Sequence, residues 1–443
     1  MRFALSLSGM FTLVLVFLAS TVFAENTDGR LNKLEETVNK QELIIQQQQE
    51  TIEKLKTDIE QQKKQDQPEK PSQAPQAPKA SGLFGGSVFT NPNLSVVLDT
   101  FYYSSNLTNN ELANRGIPGF TTQGLDQRNG FNLDSVELAI FSPVDPYFDF
   151  YANIPVTENT ISIEEAYVVT TALPAGWQIK GGKFKSNFSR LDAQHPHAWD
   201  FWDIALPYRA FLGNEGLGGE KGVQLTWLPT LPIYTLFGTE VLQGENPLLF
   251  GPDAAEGPHA YSFFVKCSVD TSDNSTLYLG PSVLFGKTKN QNIIPGTEVT
   301  ANSALYGMEA VLKWKPTNRE ALTIQSEYLY LDQRGNLVNT DSLLRNQDGF
   351  YIQSIYRKNR WGIGARYDVL DVFSDTFKVA GAQQNTGGKP WRETASLEYN
   401  PSEFARIRLQ ASHDKSDTLT GRTNDEAILQ FIFTVGAHPA HSF

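Results

Sequence analysis

From about Leu94 onward, apolar and polar side chains alternate with a period of two. Val223, Leu225 and Trp227 alternate with Gln224 and Thr226, and Ala405, Ile407, Leu409 and Ala411 alternate with Arg406, Arg408 and Gln410. That period marks strands whose two faces meet different surroundings. It predicts about sixteen strands, near 94–104, 130–141, 147–155, 160–171, 177–185, 219–228, 232–243, 258–268, 274–286, 303–315, 320–332, 347–357, 359–369, 390–399, 404–413 and 425–434. Alternate connections are tight turns such as Ser142 to Pro146, Leu173 to Gly176, Pro229 to Leu231 and Pro316 to Arg319. Most of the others are long: Ser105 to Arg128, Ser186 to Gly218, Gln243 to Gly257, Lys287 to Ala301, Gly335 to Asn346 and Ser374 to Lys389. Short turns on one side and long loops on the other are the pattern of a closed transmembrane barrel. The predicted fold is therefore all-β, a transmembrane antiparallel β-barrel of about sixteen strands within residues 83–443. A soluble sandwich or propeller leaves the turn asymmetry unexplained. Aromatics near strand ends, including Phe101, Tyr102, Tyr103, Tyr147, Phe148, Tyr328 and Tyr330, are placed as interfacial girdles would be.

The first ninety residues follow other periods. Residues 1–24 combine Arg2, an apolar run from Phe11 to Leu18 and Val22-Phe23-Ala24, as a cleaved secretory signal peptide does. Residues 25–64 carry heptads with Leu31, Val38, Ile45, Ile52 and Ile59 at a, and Leu34, Gln41, Gln48 and Leu55 at d. That spacing predicts an α-helical coiled coil and hence an oligomer, with the number of strands left open by glutamine at two d positions. Pro68, Pro71, Pro75 and Pro78 make 65–82 an extended spacer. These segments place a coiled coil in the periplasm, where contact with peptidoglycan or a periplasmic partner is conceivable.

Composition removes several function classes. A net charge of −12 gives nucleic acid no basic surface to bind, and the single cysteine, Cys267, rules out an internal disulfide. Nothing calls for a cofactor. Ser412-His413-Asp414 is explained by a strand running into an extracellular loop, and no other constellation resembles a catalytic triad, so the chain is not read as an enzyme.

The third long loop, Ser186 to Gly218, is the longest and carries the most unusual chemistry: His195-Pro196-His197-Ala198-Trp199-Asp200-Phe201-Trp202-Asp203, then Tyr208-Arg209-Ala210-Phe211. A loop with this much apolar surface is expected to fold inward and narrow a channel. Arg190, Asp200, Asp203 and Arg209, with Lys183 and Lys185 on the preceding strand, are the candidates to set the field there. His195 and His197 with Asp200 and Asp203 present a donor set that suits zinc and similar ions. His438 and His441 repeat the theme near the C-terminus, and backbone hydrogen bonding is the other explanation for all four.

The stretch Glu164-Glu165-Ala166-Tyr167 through Leu173-Pro174-Ala175-Gly176-Trp177 to Gly181-Gly182-Lys183-Phe184-Lys185 resembles a hairpin of the phosphate-selective porin O and P family. That resemblance implies a sixteen-stranded, trimeric porin in the outer membrane of a Gram-negative bacterium. It implies outer-membrane lipid, a homo-trimer and the barrel-assembly machinery as partners, the last through Phe443 as an assembly signal. The tail Val435 to Phe443 departs from simple strand alternation, and the strand arginines and lysines (Lys180, Lys183, Lys185, Arg357, Arg360, Arg366, Arg406, Arg408) stand among many acids, so phosphate specificity is not carried over. The expected function is a passive channel for small hydrophilic or anionic solutes. The loop is also similar to that of siderophore- and metal-associated porins, which implies the alternative of TonB-independent uptake of a metal ion or metal–siderophore complex.

Overall fold

The structure, a computed structural model, describes residues 92–122, 127–252, 256–294, 297–338 and 341–436. The expected signal peptide, coiled coil and spacer, together with His438, His441 and Phe443, lie outside them. Strands run in chain order: β1 (Asn93–Ser105), β2 (Gly130–Asp145), β3 (Phe148–Val156), β4 (Glu165–Thr170), β5 (Trp177–Lys185), β6 (Gly219–Trp227), β7 (Tyr234–Leu242), β8 (Ala260–Ser272), β9 (Ser275–Ile294), β10 (Thr297–Thr317), β11 (Glu320–Leu337), β12 (Ser342–Lys358), β13 (Trp361–Val379), β14 (Ala382–Gln383), β15 (Trp391–Ser402), β16 (Ala405–Asp414) and β17 (Asn424–Gly436). All neighbours are antiparallel. The two-residue β14 only extends the end of β13, which pairs onward with β15, so sixteen strands form the wall. β1 pairs with β2 and also with β17, from Ser95 opposite Gly436 to Ser105 opposite Glu426, and this closes the sheet. Closure gives every spanning strand two partners, which the hydrocarbon of a bilayer requires of its backbone groups.

The alternation resolves into an inverted interior. Along β17, Glu426, Ile428, Gln430 and Ile432 are buried, whereas Leu429 and Phe433 are 36% and 44% exposed. Val223, Phe263, Trp314, Ile363, Leu397 and Leu409 continue the apolar outer surface. Glu309, Gln325, Glu327, Gln353, Arg366 and Arg408 are buried within. Apolar groups outside and charged groups inside are what lipid around a polar lumen selects. Two of the expected girdle aromatics do not fit that role. Phe101 and Tyr103 face inward against Trp202, with ring centroids 5.1 and 6.0 Å away, and only Tyr102 between them is exposed, against Phe131.

The tight turns are built by local chemistry. Asp145 accepts the N–H groups of Tyr147 and Phe148 at 2.8 and 3.0 Å, closing the β2–β3 turn. Gly176, at φ +79°, lies where a Cβ would come within 2.0 Å of the Leu228 carbonyl oxygen. At the other end, three expected loops are largely strand. The segment Lys287 to Ala301 continues β9 to Ile294 and starts β10 at Thr297, with Lys289 opposite Thr300. Gly335 to Asn346 is likewise the tip of β11 and β12, and Ser374 to Lys389 begins as β13 and β14. These extensions bury Ile293, Val299, Ala301, Leu337, Leu343 and Phe377 against one another, but polar runs such as Thr288 to Gln291 hide the two-residue period in the sequence.

Candidate functional site

The chain leaves β5 and turns into the barrel. Ser186 Oγ donates to Glu240 Oε2 at 2.5 Å and the Asn187 N–H donates to Glu240 Oε1 at 2.9 Å, so a carboxylate on the inner face of β7 captures the start of the loop. Its far end is tied back where the Leu217 N–H donates to Asp192 Oδ1 at 2.8 Å. Gly216, at φ +66°, keeps this tie possible, because a Cβ there would lie 2.2 Å from the same oxygen. Between the ties, Phe188, Leu191, Trp199, Ile204, Leu206 and Phe211 pack with Leu242, Leu284, Leu305, Leu329, Tyr351 and Leu370 of the inner wall. The short helix α1 (Asn109–Asn114) belongs to the first long loop and α2 (Leu206–Phe211) to this one; Tyr208 of α2 brings its hydroxyl within 2.5 Å of Glu327 Oε2 on β11. With Trp202 on β1, the loop spans from one side of the lumen to the other. Two further loops follow it inward: Phe120 packs on Phe211 at 5.4 Å, and Leu249 and Phe250 join the same core.

A loop buried in this way must satisfy its own backbone carbonyls. Arginines of β13 and β16 do so. Arg366 donates to the Asp203 carbonyl at 2.7 Å, Arg406 to that of His197 at 3.0 Å and Arg408 to that of Trp199 at 2.7 Å. The loop's acids bind the same wall: Asp200 pairs with Arg357 at 2.8 Å, and Asp203 with both Arg366 and Arg392 at 3.0 Å. Glu398 joins Arg357, Arg406 and Arg408 at 3.3 to 3.5 Å, and Arg366 also lies over the Phe201 ring at 4.8 Å. These guanidinium groups are engaged in holding the loop. Arg357 and Arg406 remain 35% and 26% exposed at the side-chain level and, with Asp200 at 20%, present charge to the water-filled space.

The wall on the other flank of the loop, separated from β16 by β17 and β1, is rich in acids. His195 Nδ1 lies 3.0 Å from Glu164 Oε2 and His195 Nε2 lies 2.9 Å from Glu165 Oε2. His197 Nδ1 lies 3.1 Å from Glu137 Oε2, and the two imidazoles are stacked with centroids 5.6 Å apart. Lys185 closes the cluster with Nζ 2.9 Å from Glu164 Oε1. The ion expected to bring His195 and His197 to Asp200 and Asp203 therefore has no such donor set here: both aspartates are on the arginine wall, and the histidines have glutamates of β2, the β3–β4 connection and β4 instead. Lys183 also stands elsewhere, donating to the Ile163 carbonyl at 2.7 Å. Arg209 is buried, with Nε 3.2 Å from Asn214 Oδ1, so it packs within the loop rather than lining an opening. Arg190 is half-buried, and its backbone N–H donates to Glu309 Oε2 at 2.9 Å.

Arg392, Glu398, Glu137, Glu164 and Glu165 escaped the sequence reading. Strand parity identifies the first two: Ala395 and Leu397 face out, so Arg392, Thr394, Ser396 and Glu398 face in. Glu164 and Glu165 stood only within the resembling hairpin and Glu137 carried no signal at all, with nothing local to pair them with histidines that lie 31 residues beyond Glu164 and 60 beyond Glu137.

No family model matches the sequence. Among solved structures, the barrel is similar to the outer membrane channel DcaP of Acinetobacter baumannii, with a TM-score of 0.53 at 13% identity over 78% of this chain and 97% of that one. It is also similar to the anion-selective porin from Comamonas acidovorans, with a TM-score of 0.50 at 9% identity over 78% and 99% of the two chains. In sequence, an "Uncharacterized protein" of Aquifex aeolicus (strain VF5) is 38% identical over 380 residues, 80% of either chain. The chain thus belongs to the family of this Aquifex aeolicus protein, and its fold is the sixteen-stranded barrel of outer-membrane porins.

Proposed function

We propose that the protein is a porin of the outer membrane, a passive channel for small hydrophilic or anionic solutes whose preference is set by the inward loop 186–218. The observation that carries this reading is the loop's path between the arginine wall of β12, β13, β15 and β16 and the glutamate wall of β2 and β4. A solute passing the loop meets charge of opposite sign on its two sides, a field that sorts ions by sign and size. The half-exposed Arg357 and Arg406 favour anions on one flank. The heptads of 25–64 support an oligomer, which we take to be a homo-trimer. Purified protein in a planar bilayer tests the reading: discrete channel openings with a measurable chloride-to-potassium permeability ratio are expected, and a bilayer that stays closed at high protein load overturns it.

A second reading, uptake of a metal ion or metal chelate, is favoured by the His195 and His197 cluster.

A further inference from the structure

The glutamate wall gathers imidazole and carboxylate ligand atoms around one buried amide. His195 Nδ1 lies 3.0 Å from Glu164 Oε2 and 2.9 Å from Asn153 Nδ2. Its Nε2 lies 2.9 Å from Glu165 Oε2 and 3.2 Å from the same amide nitrogen. Protonated on both nitrogens, the imidazole donates to both glutamates. Asn153, 4% exposed, uses Nδ2 toward Glu137 Oε1 at 2.7 Å, and its Oδ1 is buried with no hydrogen-bond partner among the described residues. One donor atom each of Glu137, Glu164 and His195 lies within 4.8 Å of the others. The charge count points the same way. Three carboxylates carry three negative charges, Lys185 and a His195 imidazolium offset two, and the net negative charge that remains attracts a cation.

We propose that Glu137, Glu164 and His195, with Glu165 and His197 at the edge, form a binding site for one divalent transition-metal ion within the lumen. An ion held between an imidazole nitrogen and carboxylate oxygens takes the place of the proton that nitrogen donates to Glu164. A mixed imidazole and carboxylate set suits zinc, cobalt or nickel, whereas magnesium and calcium favour oxygen alone. The proposal deepens the metal reading and rests on it for the supply of the ion, but binding itself is independent of conduction.

The test is titration of the full-length, refolded protein in detergent with Co²⁺, read by ligand-field absorption, and with Zn²⁺, read by calorimetry. Wild type is expected to bind one ion per chain in the cluster. Glu137→Gln and His195→Gln are each expected to weaken binding at least about tenfold, while His413→Gln, at the outer rim, leaves it unchanged. Retention of the folded band in unheated gels shows that each variant still forms its barrel. No binding by folded wild type, or equal affinity in folded His195→Gln, overturns the site. Conductance recorded on the same samples separates the two ideas: metal binding without openings rejects the channel alone, and openings without metal binding reject the site alone.

Discussion

Asp200 is the residue whose loss most cleanly alters the lumen's charge. Its carboxylate neutralises Arg357 at 2.8 Å while both remain in contact with water. Asp200→Asn keeps the shape and a hydrogen-bond acceptor but removes one of the two carboxylates on the guanidinium, leaving Glu398 at 3.4 Å. A unit charge at 4 Å in water is worth about 1 kcal/mol, so the chloride-to-potassium permeability ratio is expected to rise by up to about fivefold. Reversal potentials across a salt gradient measure it, and an unchanged ratio removes Asp200 and Arg357 from the selectivity path. Asp203 is a different case, because Arg366, Arg392 and Gln410 surround it. Its substitution removes the loop's own carboxylate from two buried guanidinium groups, Arg366 keeping Asp368 and Arg392 keeping Asp414 and Glu426, and is expected to loosen the loop rather than tune selectivity. The sequence listed both aspartates as one kind of site. Only the register of β13, β15 and β16 separates them, since it decides which arginines reach which turn of the loop.

Elements outside the membrane carry their own chemistry. Helix α1 is held by a capping box in which the Thr108 N–H and hydroxyl donate to Glu111 at 2.8 and 2.9 Å, and Arg422 pairs with the same carboxylate. The backbone bond from Thr108, then its hydroxyl and then Arg422 lower the Glu111 pKa from 4.5 to about 2. A depressed carboxylate stabilises the fold above its unfolded pKa, and that contribution is lost as pH falls through the folded one. Amide exchange of 108–114, corrected for intrinsic rates, is therefore expected to accelerate between pH 4.5 and 2, and Glu111→Gln is expected to abolish that dependence. Exchange equally pH-dependent in the variant contradicts the capping account. Strands are the elements the sequence declares best. Each of the sixteen expected segments overlaps a wall strand, and Trp177–Lys185 matches end for end. Their outer ends were hidden because polar runs such as Thr288 to Gln291 interrupt the apolar period, although inner-face residues such as Val299 and Ala301 are buried there.

At the scale of the whole molecule, an apolar exterior, a charged interior and a closed ladder of strands follow from period-two alternation, and the inward course of 186–218 follows from its Trp and Phe content. Two things did not follow. The loops carrying Phe120 and Phe250 fold in as well, because their few apolar residues become informative only beside the core the third loop builds. The histidine–glutamate cluster also stayed hidden, since antiparallel pairing brings Glu137 of β2 beside Asn153 of β3 while the loop delivers His195 from a distant part of the chain. The central claim is that this loop both narrows the barrel and sets its preference. The most direct measurement is the single-channel conductance of a variant in which residues 194–212 are replaced by a short Gly-Ser link, compared with wild type in the same bilayer. A severalfold larger conductance with weakened ion preference is the result expected. Equal conductance and equal preference from a folded deletion variant would contradict it.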